Sequence, residues 1–138
     1  MPAEQKNVSP NVIPALRYRD ARAMIDWLAR AFGFDSQFVV DGEGGAITHA
    51  QLTFAGGMIM LGSARDDNYD KLVKTPAALG GTSQSVYIPV DDVDAHHDRA
   101  KAAGDEIVME LTDTDYGSRD YICRDPEGHV WCFGTYRP

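Results

Sequence analysis

The chain has 138 residues, 43% of them hydrophobic and 25% charged, with a formal net charge of −8. That length suits one domain-sized body or two small subdomains sharing a core, and the apolar content is ample for a packed interior. The acidic balance repels phosphate backbones and argues against nucleic acid as a partner, and no apolar stretch is long enough to cross a bilayer.

Met1–Lys6 lacks the apolar core of a signal peptide, and two cysteines, Cys123 and Cys132, are too few for a disulfide framework. A cytoplasmic protein is the expectation.

In chain order, β-rich alternation predicts a first strand over 12–18. Asp20 suits a helix N-cap, where its carboxylate accepts from free backbone amides and is favoured by the helix dipole. Ala21, Met24, Ile25, Leu28 and Phe32 then share one helical face, and Gly33 suits a left-handed stop. Strands follow over 36–41, 46–54 and 58–62, the last two joined at Ala55-Gly56-Gly57. Gly42–Gly45 reads as a hairpin loop, without the lysine or the strand-loop-helix context of a phosphate loop. Segment 63–83, with Asp66-Asp67-Asn68, Thr75-Pro76 and Gly80-Gly81, reads either as a connector or as a lid. A strand over 84–90 leads into a more polar helix with a narrow stripe of Val93, Ala100 and Ala103. Asp91, Asp92 and Asp94 crowd its start and Gly104 ends it. Strands over 105–110, 118–124 and 129–135 complete the chain, with Asp125-Pro126-Glu127-Gly128 a structural turn by its chemistry.

The order strand-helix-strand-strand-strand thus occurs twice. Asp20 and Gly33 stand thirteen residues apart, as do Asp91 and Gly104. Each unit closes with a short apolar strand ending in glycine, Met58–Gly62 and Val130–Gly134. Such internal repetition predicts an α+β fold, a single domain of two tandem βαβββ modules at about 10–62 and 84–136 joined by loop 63–83.

This pattern resembles the vicinal-oxygen-chelate superfamily of glyoxalase I, extradiol dioxygenases and bleomycin-resistance proteins. Leu16-Arg17-Tyr18-Arg19-Asp20, Ile25-Asp26-Trp27-Leu28 and Ala31-Phe32-Gly33-Phe34 look like its first-module signature. Val90–Ala95 with Ala102-Ala103-Gly104 looks like the second-module helix. Tyr116-Gly117-Ser118-Arg119 followed by Arg124–Trp131 is similar to the closing hairpin of the small, bleomycin-resistance-like branch. The resemblance implies two half-open sheets forming a barrel-like cleft, commonly paired across a homodimer. Whether one chain or two build the cleft stays open at this stage.

Metal-using members carry ligands on the first and last strand of each module, positions that fall here near Ile13, Met60, Ser85 and Cys132. None is His or Glu, and a single thiolate is not a metal site, so no metal cofactor is expected. With Cys132 turned into the cleft, strand parity adds Val130 and, across Pro126-Glu127, Arg119, Tyr121 and Cys123. Parity from Met60 adds Met58, Gln51 and His49, while Ser85 and Tyr87 share a face in the second module. These eleven side chains have the composition of a small-molecule pocket, subject to the strand register.

Each has a plainer reading. His49 is either a satisfied, half-buried histidine or a hydrogen-bonding acid-base group. Arg119 either pairs with surface carboxylates or receives an anionic or carbonyl group of a ligand. Tyr87 and Tyr121 suit packing, and Cys123 and Cys132 suit small inward hydrophobes, with a thiol pair on a soft metal as the alternative. His96 and His97 read as surface or packing residues, and His129 as outward-facing.

The expected function is a metal-free cleft that binds or sequesters a small, partly aromatic metabolite or antibiotic. A glyoxalase- or dioxygenase-like enzyme with a relocated metal site is the alternative, built from His49 with Cys123, Cys132 or Glu110. A third reading is an interaction module whose dimer surface is its function.

Overall fold

A computed structural model describes residues 10–138, and Met1–Lys6 lies outside them. The first module runs β1 (Ala15–Tyr18), α1 (Ala21–Phe32), β2 (Asp35–Asp41), β3 (Ile47–Phe54) and β4 (Gly57–Ser63). The second runs β5 (Ser85–Pro89), α3 (Val93–Ala102), β6 (Glu106–Asp113), β7 (Arg119–Arg124) and β8 (Val130–Gly134). Between them lie a 3-10 turn, Tyr69–Lys71, and a four-residue helix α2, Pro76–Leu79. The repeat therefore folds as two four-stranded mixed sheets, ordered β1-β4-β3-β2 and β5-β8-β7-β6. Neither closes into a barrel. In each, the first strand runs parallel to the last and the other pairs are antiparallel.

Local chemistry sets the element ends. Asp20 caps α1 by accepting from the Ala23 amide, and Gly33 ends it at φ 90°. Asp92 rather than Asp91 caps α3, accepting from the Ala95 amide. The β3–β4 hairpin turns on Ala55 and Gly56, both at positive φ, the conformation a tight two-residue loop requires. The β7–β8 turn is one residue longer. The Gly128 amide closes onto the Asp125 carbonyl and Gly128 sits at φ 101°.

Both sheets turn one face to a single shared core. Phe32 of α1 packs against Trp131 and Phe133 of β8, with ring centroids 5.3 and 4.7 Å apart, and Phe34 reaches Trp131 at 5.8 Å. Tyr18, Leu28, Phe32, Tyr121, Trp131 and Phe133 are completely or almost completely buried. Helix α3 answers for α1. Arg99 donates to the Ala29 and Arg30 carbonyls at the end of α1, groups that helix termini leave without partners. His96 bridges the modules, its Nε2 donating to the Phe32 carbonyl at 2.9 Å while Nδ1 lies 2.6 Å from the Tyr121 hydroxyl. Burial holds the His96 pKa below its usual value.

The connector is fastened at both ends. Arg17, almost fully buried, pairs with Asp70 at 2.9 Å and Asp67 at 3.6 Å, and its guanidinium lies 4.4 Å from the Tyr69 ring centroid. Pro76, also buried, lies where a side chain on Gly128 would sit, 2.9 Å away.

Candidate functional site

Because the helix-side faces share one core, the opposite face of each sheet is open. In the first sheet, Gln51 pairs with Met60 across β3–β4, and Met58, Met60, Gln51 and His49 occupy that open face. His49 Nε2 donates to Gln51 Oε1 at 2.9 Å, and Gln51 Nε2 donates to Gln37 Oε1 at 2.8 Å. Beside them lies a shallow depression of about 350 Å³ lined by His49, Met60, Arg17, Arg65 and Tyr69 among others. In the second sheet Ser85 lies opposite Val130 and Tyr87 opposite Cys132, so all four share its open face.

Three expected cleft residues lie elsewhere. Tyr121 pairs with Phe133 and Cys123 with Trp131, which turns both into the core, and Arg119 follows the same parity. The physical reason is the longer β7–β8 turn, since one extra residue transfers every side chain of β7 to the other face. Arg119 forms ion pairs with Asp94 of α3 at 2.8 Å and Asp113 at 3.1 Å, and those carboxylates raise its pKa. Burial drives the Cys123 and Tyr121 pKa values up, removing both from proton transfer near neutrality. Cys132 is half-buried, and burial, assisted by Asp120, pushes its thiol up to about 11.

The residue that register brings to the open face instead is Asp120. It pairs with Gly134 and is only 6% exposed. Ser118 Oγ donates to it at 2.5 Å and Tyr116 Oη at 3.4 Å. A Cβ built on Gly134 would come within 2.0 Å of Asp120 Oδ1 and 2.9 Å of the Tyr87 hydroxyl, so only glycine leaves room for this pair.

A groove of about 520 Å³ runs between β1 and β5, where Ile13, Ser85, Tyr87 and Val130 meet Leu72 and Lys74 of the connector. A neighbouring one of about 460 Å³ brings Met58 near Tyr87. His49 and Gln51 line neither, so one chain does not gather the expected residues around a single cavity.

The four positions implied for metal carry poor donors for a divalent ion: Ile13 and Ser85 in the groove, Met60 and Cys132 on separate open faces. Among the described residues no three His, Cys, Asp or Glu side chains converge on one point. The relocated set does not form within the chain either, because Cys123 is in the core and Glu110 is engaged by His97 at 2.8 Å and Lys101 at 3.6 Å.

Comparison with known proteins agrees with this architecture. A family model for the Glyoxalase/Bleomycin resistance protein/Dioxygenase superfamily matches residues 12–133. Uncharacterized protein Mb0911c of Mycobacterium bovis is 36% identical over 128 residues, covering 93% of this chain and 84% of its own. TioX from Micromonospora sp. ML1 superposes with a TM-score of 0.72 at 35% identity, covering 94% of this chain and 98% of its own. The fosfomycin resistance protein FosX from Listeria monocytogenes, solved with Mn(II) and sulfate, shares the fold at a TM-score of 0.65 and 16% identity, covering 94% of each chain. No helix among the described residues is long and apolar enough to cross a membrane.

Proposed function

Since the chain belongs to the glyoxalase/bleomycin resistance protein/dioxygenase superfamily, we propose that it is a metal-independent binding protein for a small, partly aromatic metabolite or antibiotic. The observation that carries this reading is the donor set: Ile13, Met60, Ser85 and Cys132 stand where metal-using relatives hold their ligands. Sequestration needs only shape, apolar surface and a few polar groups, all of which the open faces supply.

The cleft is completed in a homodimer, in which the open first sheet of one copy faces the open second sheet of the other. Two features support this. The open faces point away from the shared core, and the outer strands expose Phe38, Val40, Val108 and Met109 beyond what a solvated edge needs. Neither thiol is poised as a nucleophile, which fits binding rather than covalent chemistry, and two unpaired cysteines suit a cytoplasmic setting.

Native mass spectrometry with elemental analysis of protein purified without chelator or added metal tests the reading. A metal-free dimer that takes up a ligand of a few hundred daltons supports it. Metal at about one per subunit overturns it in favour of a metal-dependent lyase or oxygenase.

A further inference from the structure

The groove of about 460 Å³ is walled by core-facing side chains rather than by an open sheet face. Ile59 pairs with buried Leu52, and Val86 and Ile88 lie opposite buried Trp131 and Phe133, so these walls have the helix-side parity of both sheets. Phe34 and Phe54 complete them, their ring centroids 5.6 Å apart and tilted by 50°. Phe54, Val86 and Ile88 belong to the core face yet stay only partly buried, because the groove separates the β3–β4 hairpin from β5. A second copy laid on the open faces would meet the rim at Met58 and Tyr87, not these walls.

The lining is chemically lopsided. Among the described residues, Arg137 is its one charged side chain and Tyr87 its one hydroxyl, and Tyr87 already donates to the Tyr136 carbonyl at 2.7 Å. Arg137 stands at the rim with its side chain 57% exposed, and its Nη2 donates to Asp91 Oδ1 at 2.8 Å. The Asp91 side chain is 95% exposed, so this ion pair sits in water, where such pairs contribute little. The planar fork of a guanidinium offers donors beyond the one that Asp91 uses, so Arg137 can receive a second carboxylate beside it.

We infer that this groove is a binding site for a small amphiphilic carboxylate, its hydrocarbon body among Phe34, Phe54, Ile59, Val86 and Ile88 and its head on Arg137. The volume is that of a small-ligand site. Apolar walls favour burial of hydrocarbon and offer no partners to a polar body. At the rim, charge complementarity selects an anionic head over a neutral or cationic one, and the guanidinium matches a carboxylate in shape. The net charge of −8 works against anions at long range, but salt screens exposed charges beyond about 8 Å while contact with Arg137 survives. This site is separate from the cleft of the proposed function, and each stands without the other.

The test is calorimetric titration of the full chain, at physiological ionic strength, with octanoate, 1-octanol and octyltrimethylammonium. Octanoate should bind about three- to fivefold more tightly than octanol, the scale of an ion pair that keeps contact with water, and the ammonium should bind weakest. Arg137→Gln should erase the preference for octanoate while octanol binding persists, which also shows that the variant is folded. Arg137→Glu should move the preference to the ammonium. Backbone amide resonances of 54–59 and 86–88 should shift on octanoate binding. Equal affinity for octanoate and octanol, a preference that survives in Arg137→Gln, shifts confined to 49–51 on the open sheet, or no binding at millimolar concentration would each overturn the assignment. None of these outcomes touches the metal content or dimer that tests the proposed function.

Discussion

The Tyr18 hydroxyl donates to Asp125 Oδ2 at 2.7 Å, a bond between residues 107 positions apart. It joins β1 of the first module to the β7–β8 turn of the second. The same oxygen accepts from Trp131 Nε1 at 3.1 Å, while Oδ1 accepts from the Glu127 and His129 amides. The next acidic residue of the turn extends the joint: Glu127 accepts from the Arg19 and Asp20 amides at the start of α1, and His129 Nε2 donates to the Arg17 carbonyl. A turn whose sequence looked merely structural is therefore the rivet between the halves.

Substituting either end of that bond should loosen the modules. Tyr18→Phe removes one bond to a buried carboxylate and is expected to cost about 1.5–3 kcal/mol in chemical denaturation. Asp125→Ala strands the Tyr18 and Trp131 donors together and should cost more. A double-mutant cycle should show coupling between the two sites, and strictly additive effects would mean that the joint does not depend on this contact.

Gly134 is predicted to be intolerant for a specific reason. Gly134→Ala places a methyl group on the Asp120 carboxylate and should destabilise by about 1–3 kcal/mol, the usual cost of overpacking. Adding Asp120→Gly should recover much of that loss in thermal melts. No recovery would place the strain in the backbone rather than in this contact.

The duplication made the fold legible, and it also held the register that simple strand counting missed. His49 and Gln51 of β3 correspond to Asp120 and Ile122, seventy-one residues on, whereas Met60 of β4 corresponds to Cys132, seventy-two on. The change of interval is the extra residue in the β7–β8 turn, and it moves Tyr121 and Cys123 inward. Carrying His49 across the repeat points directly to Asp120. The role of Arg17 was less legible, because its partners Asp67 and Asp70 lie on a connector whose path depends on tertiary packing.

Asp105 takes the place in the second module that buried Phe34 holds in the first. Burial raises its pKa to about 6, and Cys123 offers it only a weak thiol donor. A carboxyl whose folded pKa exceeds the unfolded value binds a proton more tightly when folded. Its contribution is therefore fully present below about pH 4 and is lost as pH rises through about 6. Asp105→Asn should flatten this part of the stability profile and raise stability at pH 7 by about 1–3 kcal/mol. An unchanged slope between pH 4 and 6 would show that Asp105 titrates normally.

His96 should act with the opposite sign. Its ring lies against Phe133, centroids 4.1 Å apart and tilted by 36°, where burial disfavours the charged form and depresses its pKa. The neutral ring both donates to Phe32 and accepts from Tyr121, so protonation removes an acceptor as well as burying a charge. Its contribution is present above the unfolded value of about 6.5 and declines as pH falls through the lower folded value. His96→Leu should lose about 1–3 kcal/mol at pH 8, where two partners are left unpaired, and a smaller amount at pH 5. Measuring both variants from pH 4 to 8 separates the titrations, since Asp105→Asn should expose the acid-side decline due to His96 and His96→Leu should abolish it. A decline that persists in His96→Leu would assign the acid sensitivity to another group.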